Sequence, residues 1–134
     1  HEIKLHTSYC KKWKVPLGSL NNIKVEKANS AYTGYVLSVG KKGNNLDIFS
    51  CLSPCIIGYG EIGFKLSKIK NWKKSKYSSW IEMYSSKEYQ QIAKDNINYL
   101  DILFNKSKNK NLNKLKKIFK KSTILERNFW ESFV

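Results

Sequence analysis

Residues 45–70, NLDIFSCLSPCIIGYGEIGFKLSKIK, decide the fold that this sequence predicts. Apolar side chains in this stretch recur in alternating steps of four and three, which is the spacing of one face of an amphipathic α-helix. They are Ile48, Leu52, Cys55, Tyr59, Ile62, Leu66 and Ile69. We therefore predict one helix over about these residues, with Cys55 and Tyr59 facing the protein interior. Glu61 falls off this line and should reach solvent or a polar neighbour.

The same helical periodicity recurs along the rest of the chain, and no alternating run bounded by turn residues predicts a strand. Further helices are predicted at the start of the chain, over residues 26–39, after residue 85 and over residues 111–133, with a short turn or helix at 80–84. About five helices with short connections indicate an all-α bundle. A length of 134 residues fits a single domain over residues 1–134.

Three of these helices carry lines of side chains that we expect to face the core. In the helix over residues 26–39 they are Ala28, Tyr32, Tyr35 and Val39. The helix after residue 85 should open with a capping box of Ser85 and Glu88. Its apolar positions include Tyr89, Ile92, Ile97, Leu100 and Phe104. In the last helix the line is Leu115, Phe119, Ser122, Glu126, Phe129 and Phe133.

The composition is that of a globular protein with a strongly basic surface. Hydrophobic residues make up 41% of the chain, and no apolar run approaches the roughly 20 residues that span a bilayer. We therefore expect a soluble, cytoplasmic protein. The formal charge is +15, but Arg127 is the single arginine among 25 basic residues. Because phosphate and base recognition favours the planar fork of arginine, a solvated lysine surface is preferred over a nucleic-acid or membrane patch.

Three cysteines, Cys10, Cys51 and Cys55, form no pattern typical of a disulfide framework. Cys51 and Cys55 are four residues apart, but the chain has no CxxC motif and both histidines lie far from them in sequence. A zinc site needs about four ligands. We therefore expect no metal and no other cofactor.

Cys55 and Glu126 are unusual on apolar helix faces. An isolated cysteine is more often a small buried hydrophobe than a nucleophile. A carboxylate on an apolar face must find a partner, reach water or take up a proton, because burying it charged and unpaired is costly. Glu126 could therefore form an ion pair with a lysine, or it could serve in proton transfer near neutral pH.

Proline and glycine interrupt the composition of the helix around Cys55. Pro54 lacks the amide proton of an ordinary helical residue, and Gly58, Gly60 and Gly63 allow a flat ligand or another backbone to come close. This combination is typical of a pocket wall. Tight helix packing through glycine is the alternative interpretation.

Five segments resemble the TenA family (thiaminase II, aminopyrimidine aminohydrolase) in order and spacing across nearly the whole chain. LSPCIIGYGEIGFKL, residues 52–66, resembles the pattern L-x-P-C-x-x-x-Y-x-E-x-G, and EIKLH, residues 2–6, resembles E-x-x-L-H. AYTGYVLSVG, residues 31–40, is similar to the helix that carries a binding-site tyrosine. WIEMYSSKEY, residues 80–89, resembles W-I-x-x-Y, and LERNFWESF, residues 125–133, resembles the closing E-x-x-F-W.

The resemblance implies a helical bundle of the haem-oxygenase-like type, assembled as a homotetramer, that hydrolyses aminopyrimidines related to thiamin. The cysteine matching Cys55 is the nucleophile, and the glutamate matching Glu126 is the acid/base. The substrate-binding residues that it implies are Tyr32, Tyr59, Tyr84 and, as a weaker stacking candidate, Phe129.

The chain departs from the family at its start. In the family, a carboxylate for the pyrimidine amino edge and further aromatic residues lie in helices that precede the segment matching residues 2–6. We therefore expect an N-terminally truncated domain, whose pocket is open on one side unless another chain supplies those helices. The alternative hypothesis is a non-catalytic module that binds pyrimidines, RNA or a membrane surface.

Overall fold

The computed structural model describes residues 2–108 and 110–133, and its regular elements in that part of the chain are all helices. The α-helices are α1 (Glu2–Lys12), α2 (Lys27–Lys42), α3 (Asn45–Leu66), α4 (Ser78–Ser85), α5 (Lys87–Lys106) and α6 (Leu112–Glu131). Short 3₁₀ helices occupy Leu17–Asn22 and Trp72–Lys74. The prediction of an all-α bundle is confirmed. The predicted domain over residues 1–134 also includes His1, Asn109 and Val134, which lie outside the described residues.

Helix α3 is the centre of the bundle and contacts α2, α4, α5 and α6. Because neighbours surround it, its buried residues do not form the single line that the apolar spacing predicted. They are mostly small or polar: Leu46, Asp47, Ser50, Cys51, Ser53, Pro54, Gly60 and Gly63. Small residues are buried most deeply because they let adjacent helices approach the α3 backbone.

Two members of the predicted α3 line are exposed, which corrects that prediction. Ile62 is 46% exposed although it lies within the helix. Ile69 is 56% exposed because α3 ends at Leu66 and not near residue 70. Asn71 has a φ of 65°, a left-handed conformation that turns the chain away from the helix axis. Glu61 is exposed as predicted and pairs with Lys65 at 2.6 Å.

A capping box begins α3 at Asn44, where sequence inspection did not place one. The Asn44 side chain accepts a hydrogen bond from the Asp47 amide, and the Asp47 carboxylate accepts one from the Asn44 amide, each at 3.0 Å. The box predicted at Ser85 and Glu88 is wrong by one residue at its start. Ser85 is the last residue of α4, and Ser86 caps α5 by accepting from an amide of the first turn.

Glycine packing explains how α4 and α5 approach α3. A Cβ added at Gly63 would lie 2.6 Å from Tyr84 Cβ, and one added at Gly60 would lie 3.4 Å from Ala93 Cβ. Gly58, by contrast, has no heavy atom within 4 Å of its added Cβ. Tight packing is therefore the role of Gly60 and Gly63, while Gly58 borders open space.

The inner faces of the outer helices follow the predicted lines only in part. The four predicted α2 residues are half-buried as expected. On α5, Ile92 and Ile97 are exposed because the buried face lies between them, at Ala93 and Asn96. The buried residues of α6 are Ile118, Ser122, Leu125 and Glu126. Two predicted α6 residues, Phe119 and Phe133, are exposed.

The two exposed residues of α6 are explained by the positions of its neighbouring helices and by where the helix ends. The helix packs against both α2 and α3, so its covered face widens on the side of Ile118 and Leu125 and leaves Phe119 on the flank. Phe133 lies beyond the last helical residue, Glu131, so helical periodicity no longer decides where it points.

Candidate functional site

A short hydrogen bond joins α3 to α6 at the centre of the candidate site. The Tyr59 hydroxyl donates to Glu126 Oε1 at 2.5 Å. Glu126 is 8% exposed, and the ion pairs of the described residues do not include it. Its second oxygen, Oε2, is buried and accepts no hydrogen bond. The ion pair with a lysine that the sequence left open is therefore not the arrangement found.

Tyr32 approaches the same carboxylate from α2. Burial raises the pKa of Tyr32, and the neighbouring Glu126 carboxylate and negative charge on the Cys55 sulfur raise it further. Hydrogen bonding to Ser122 lowers it in part. Because a phenolate would be desolvated and repelled by these groups, Tyr32 is held in its neutral, hydrogen-donating form.

Cys55 lies one turn before Tyr59 on α3 and is half-buried. Burial raises the pKa of Tyr59, and the hydrogen bond to Glu126 and the charges of Glu126 and Cys55 raise it further. Cys55 and Glu126 thus interact with the same two tyrosines, although 71 residues separate them in sequence (126 − 55). The structure brings together four of the six site residues that the sequence predicted.

Tyr84 forms the inner wall behind Tyr59. It is 1% exposed, and its ring meets the Tyr59 ring edge-on with centroids 5.1 Å apart. Trp80, one turn earlier on α4, lies 4.4 Å from Tyr84, and Tyr89 lies 4.6 Å from it on the other side. Tyr84 is therefore placed to support the Tyr59 ring, and its contact with a substrate remains a prediction.

Two tryptophans belong to this aromatic cluster, and the sequence reasoning assigned them no role. Trp130 meets Tyr59 edge-on at 5.8 Å, and Trp80 lies 5.8 Å from Tyr59 and 6.1 Å from Trp130. Both stand in segments that carry the family resemblance, W-I-x-x-Y and E-x-x-F-W, and this was the signal that could have identified them. Phe129 is half-buried at the edge of the cluster, with its ring 6.1 Å from Trp130.

Cys51 and Ser122 form the floor between α3 and α6. Both are fully buried, and Ser122 Oγ donates to the backbone carbonyl of Cys51 at 2.5 Å. Burial raises the pKa of the Cys51 thiol, which keeps it protonated and unreactive. Cys51 is therefore a packing residue, and no disulfide joins the three cysteines.

Two open grooves lie elsewhere, one between the starts of α3 and α6 and the other between Tyr35 of α2 and the first half of α6. Their volumes are about 780 and 580 Å³, and neither is lined by Cys55, Tyr59 or Glu126. Within the described ranges, no three histidine, cysteine or acidic side chains gather closely enough to hold a metal ion. None of the helices described here combines the length and apolarity needed to cross a bilayer.

Comparisons with known proteins identify one family. A profile described as the TENA/THI-4/PQQC family matches residues 1–134. The chain is 34% identical over 131 residues to an aminopyrimidine aminohydrolase of Halalkalibacterium halodurans, covering 97% of this chain and 58% of that protein. It is also 34% identical over 132 residues to an aminopyrimidine aminohydrolase of Helicobacter pylori, covering 98% of this chain and 61% of that protein.

A solved structure has the same fold. It is described as a TenA family transcription regulator from a Silicibacter species, and it matches with a TM-score of 0.90 at 30% identity. The match covers 98% of this chain and 60% of that one. The chain therefore spans between 58% and 61% of the lengths of these three relatives.

Proposed function

The chain belongs to the TENA/THI-4/PQQC family, and from this we propose that it acts as a hydrolase of aminopyrimidines in thiamin salvage. Relatives that carry the name aminopyrimidine aminohydrolase support the substrate class. The observation that carries the proposal is the Tyr59–Glu126 hydrogen bond beside Cys55, because it joins a nucleophile, an acid and an aromatic wall.

Cys55 is the proposed nucleophile. Its sulfur, as thiolate, attacks the pyrimidine ring and forms a carbon–sulfur bond. Glu126 donates a proton to a ring nitrogen at the same time, because neutralising the charge that develops on the ring makes addition easier.

The leaving group, an amine or the thiazolium of thiamin, then departs from the exocyclic methylene with the electron pair of the broken carbon–nitrogen bond. Water adds to the methylene and loses one proton, which goes to the departed amine or, when the thiazolium has left as neutral thiazole, to solvent. The sulfur leaves the ring, and Glu126 recovers the ring proton. The net reaction replaces the leaving group by a hydroxyl.

The four aromatic residues predicted from the sequence have proposed roles around this chemistry. Tyr32 and Phe129 stack on the flat ring, and Tyr59 holds Glu126 in place. Tyr84 supports Tyr59 and contributes to activation of the Cys55 thiol. The contacts of Tyr59 with both Glu126 and Tyr84 support this division of roles.

The decisive experiment separates catalysis from binding in the intact protein. Cys55→Ser and Glu126→Gln should each lower aminopyrimidine hydrolysis by at least about a hundredfold, the range of nucleophilic and general acid contributions. Binding, followed by quenching of tryptophan fluorescence, should persist because Trp80 and Trp130 remain. Cys10→Ser, which alters a thiol on α1 outside the site, is the control and should retain activity. Unchanged hydrolysis in Cys55→Ser would refute the proposed mechanism.

We also propose that the protein assembles as a homotetramer. The exposure of large apolar side chains on α5, such as Ile92, Tyr99 and Ile102, supports further burial in an assembly. Sedimentation equilibrium at micromolar concentration tests this, and a monomer at all concentrations would contradict it.

A further inference from the structure

We propose that Gln90 is a positioning residue for the Tyr59–Glu126 pair. Its side-chain amide joins α3, which carries Tyr59, to α4, which carries Tyr84, and thereby fixes how the two tyrosine rings meet. The catalytic meaning of this inference rests on the proposed function, whereas the contacts that carry it are hydrogen bonds of the fold.

The Gln90 side chain makes two hydrogen bonds to other helices. Its Nε2 atom lies 2.9 Å from the Gly60 carbonyl oxygen on α3 and 2.9 Å from the Tyr84 carbonyl oxygen on α4. A glutamine amide has two N–H donors, so each donor has one carbonyl as its partner. The side-chain oxygen could not replace the nitrogen here, because backbone carbonyls only accept. The chemistry of the two acceptors therefore fixes the orientation of the amide.

The Tyr84 carbonyl has a particular need for this contact. It belongs to the last turn of α4, which ends at Ser85, and carbonyls of a last turn have no amide partner within their own helix. The backbone amide of Gln90 donates to the carbonyl of Ser86, the N-cap of α5, at 3.0 Å. Gln90 therefore closes the short junction between α4 and α5 and holds the Tyr84 backbone against it.

On α3, the contact falls on the residue directly after Tyr59. Gly60 has no side chain to keep α5 away, and a Cβ added there would lie 3.5 Å from Gln90 Nε2 and 3.4 Å from Ala93 Cβ. The Gly60 carbonyl can accept from Gln90 in addition to the α3 backbone, because a carbonyl oxygen has two lone pairs. Gln90 therefore binds α3 next to the residue that reaches Glu126.

These two hydrogen bonds set the geometry of the aromatic wall. The Tyr59 and Tyr84 rings meet edge-on with centroids 5.1 Å apart, and the Tyr59 hydroxyl donates to Glu126 Oε1 at 2.5 Å. Because Glu126 is on α6, a shift of α3 relative to its neighbours changes the distance between this donor and this acceptor. A misplacement of about 1 Å near reacting groups can cost about a hundredfold in rate. Gln90 resists that shift, so it acts on the reaction through Tyr59.

The first test does not depend on hydrolysis. Gln90→Met keeps the approximate length of the side chain and removes both N–H donors. It should reduce the near-UV circular dichroism of the folded protein, because the Tyr59 and Tyr84 rings lose their fixed geometry. An unchanged near-UV spectrum would overturn the inference, whether or not the protein proves to be a hydrolase.

Gln91→Met is the matched control on the same helix. The Gln91 amide makes a hydrogen bond of the same length, 2.9 Å, but to the exposed side chain of Asp95 one turn further along α5. This variant should therefore keep both the near-UV spectrum and the activity of the unmodified protein. Equal spectral losses in the Gln90 and Gln91 variants would refute a specific role for Gln90.

The second test asks whether Gln90 acts through the Tyr59 hydroxyl. In the unmodified background, Gln90→Met should lower kcat for an aminopyrimidine about five- to tenfold, the worth of about one hydrogen bond, with little change in KM. In the Tyr59→Phe background, the same substitution should lower kcat by less than about twofold, because the hydroxyl that it positions is gone. A merely structural role would lower kcat equally in both backgrounds, and that result would refute the positioning role.

Gln90→Asn replaces Gln90→Met if the methionine variant fails to fold. Asparagine keeps the amide but is one methylene shorter, so it cannot hold both carbonyls at hydrogen-bond distance. Full kcat and an unchanged near-UV spectrum in this variant would also refute the inference. Absence of hydrolysis by the unmodified protein would instead refute the proposed function and leave the spectroscopic test standing.

Discussion

Tyr59 is the residue through which the nucleophile and the acid candidates share one site. It follows Cys55 by one turn on α3 and donates to Glu126 on α6. Helical spacing predicts that the Tyr59 side chain faces the interior, but it does not predict which residue of a distant helix the hydroxyl contacts. The hydroxyl also makes the residue useful for testing the site through stability alone.

Stability at alkaline pH should report the buried Tyr59 hydroxyl. Burial and the Glu126 carboxylate raise the pKa of Tyr59 above the ordinary value of about 10. As the pH rises past about 10, the unfolded chain loses the tyrosine proton first, so the free energy of unfolding falls. The stability from this group is complete below that pH and is lost above it, at up to about 1.4 kcal/mol per pH unit.

Replacing Tyr59 by Phe should therefore make this alkaline decline shallower by up to about 1.4 kcal/mol per pH unit. At neutral pH the same variant should lose about 1–3 kcal/mol, because Glu126 Oε1 loses its donor. Urea unfolding at a series of pH values measures both effects. Tyr77→Phe, at a tyrosine that is 49% exposed, is the control. Identical slopes for the Tyr59 variant and the unmodified protein would contradict the assignment.

At the scale of the elements, the glycines of α3 set how closely the other helices approach. Gly63→Ala should destabilise the protein by about 1–3 kcal/mol, because its Cβ would lie 2.6 Å from Tyr84 Cβ and 2.8 Å from the Tyr84 carbonyl carbon. Gly58→Ala is the matched variant on the same helix. It should stabilise by about 0.5–1 kcal/mol, since the helix gains an alanine and nothing lies within 4 Å.

Chemical denaturation of the two glycine variants gives the comparison directly. Because Tyr84 supports the aromatic cluster, Gly63→Ala should also change the near-UV circular dichroism, whereas Gly58→Ala should not. Equal stability of the two variants would show that α4 does not approach α3 as closely as the structure has it.

A second contact between elements ties the start of α3 to the start of α6. Lys114 Nζ lies 2.7 Å from Asp47 Oδ2, and the same carboxylate caps α3. The Asp47 side chain is 3% exposed and that of Lys114 is 53% exposed, so the cost of breaking the pair falls mainly on Asp47.

Asp47→Asn and Lys114→Met should each cost about 1–3 kcal/mol, and the double variant should cost less than their sum. The cause is that either single change leaves the cap or the buried carboxylate without its partner. Lys117→Met, one turn further along α6, is the control and should stay within about 0.5 kcal/mol of the unmodified protein. Strict additivity in thermal unfolding would mean that the pair contributes no coupling.

At the scale of the whole molecule, one stretch of the chain is strongly basic. Residues 102–125 contain eight lysines and no acidic residue, and the grooves at the start of α6 are lined in part by these lysines. The proposed substrate is nearly neutral and binds among aromatic rings. Its hydrolysis should therefore depend on salt far less than the binding of a nucleic acid to this lysine-rich surface would.

Between about 50 and 200 mM salt, kcat/KM for an aminopyrimidine should change by less than about twofold. A protein that instead uses six to ten phosphate contacts loses about a thousandfold or more in affinity over that range. Parallel titrations with an aminopyrimidine and a single-stranded RNA measure both. Hydrolysis that falls as steeply as RNA binding would favour the alternative of a lysine-rich binding module.

The spacing of apolar residues was sufficient to predict the helices, because an amphipathic helix is specified by residues three and four positions apart. Apolar residues at steps of three and four predicted α2, α3, α5 and α6, but two boundaries were wrong: the cap of α5 is one residue after Ser85, and α3 ends at Leu66 and not near residue 70. The family resemblance, which depends on residue types in order, selected Cys55, Glu126 and three tyrosines. The described part of the chain agrees with these predictions at the level of helix type and order.

Tertiary structure alone decided which helix faces are covered and which side chains meet. Phe119 and Ile92 are as apolar as Ile118 and Ala93, so composition could not tell which of them would be buried. Burial depends on where neighbouring helices lie, and that is a property of the packed molecule. The sequence by itself determined the helices and the chemical groups of the candidate site, since both depend on the residue types and their order along the chain. The hydrogen bond from Tyr59 to Glu126 required α3 and α6 to pack in one register, because only packing brings residues 71 positions apart (126 − 55) around the same tyrosines.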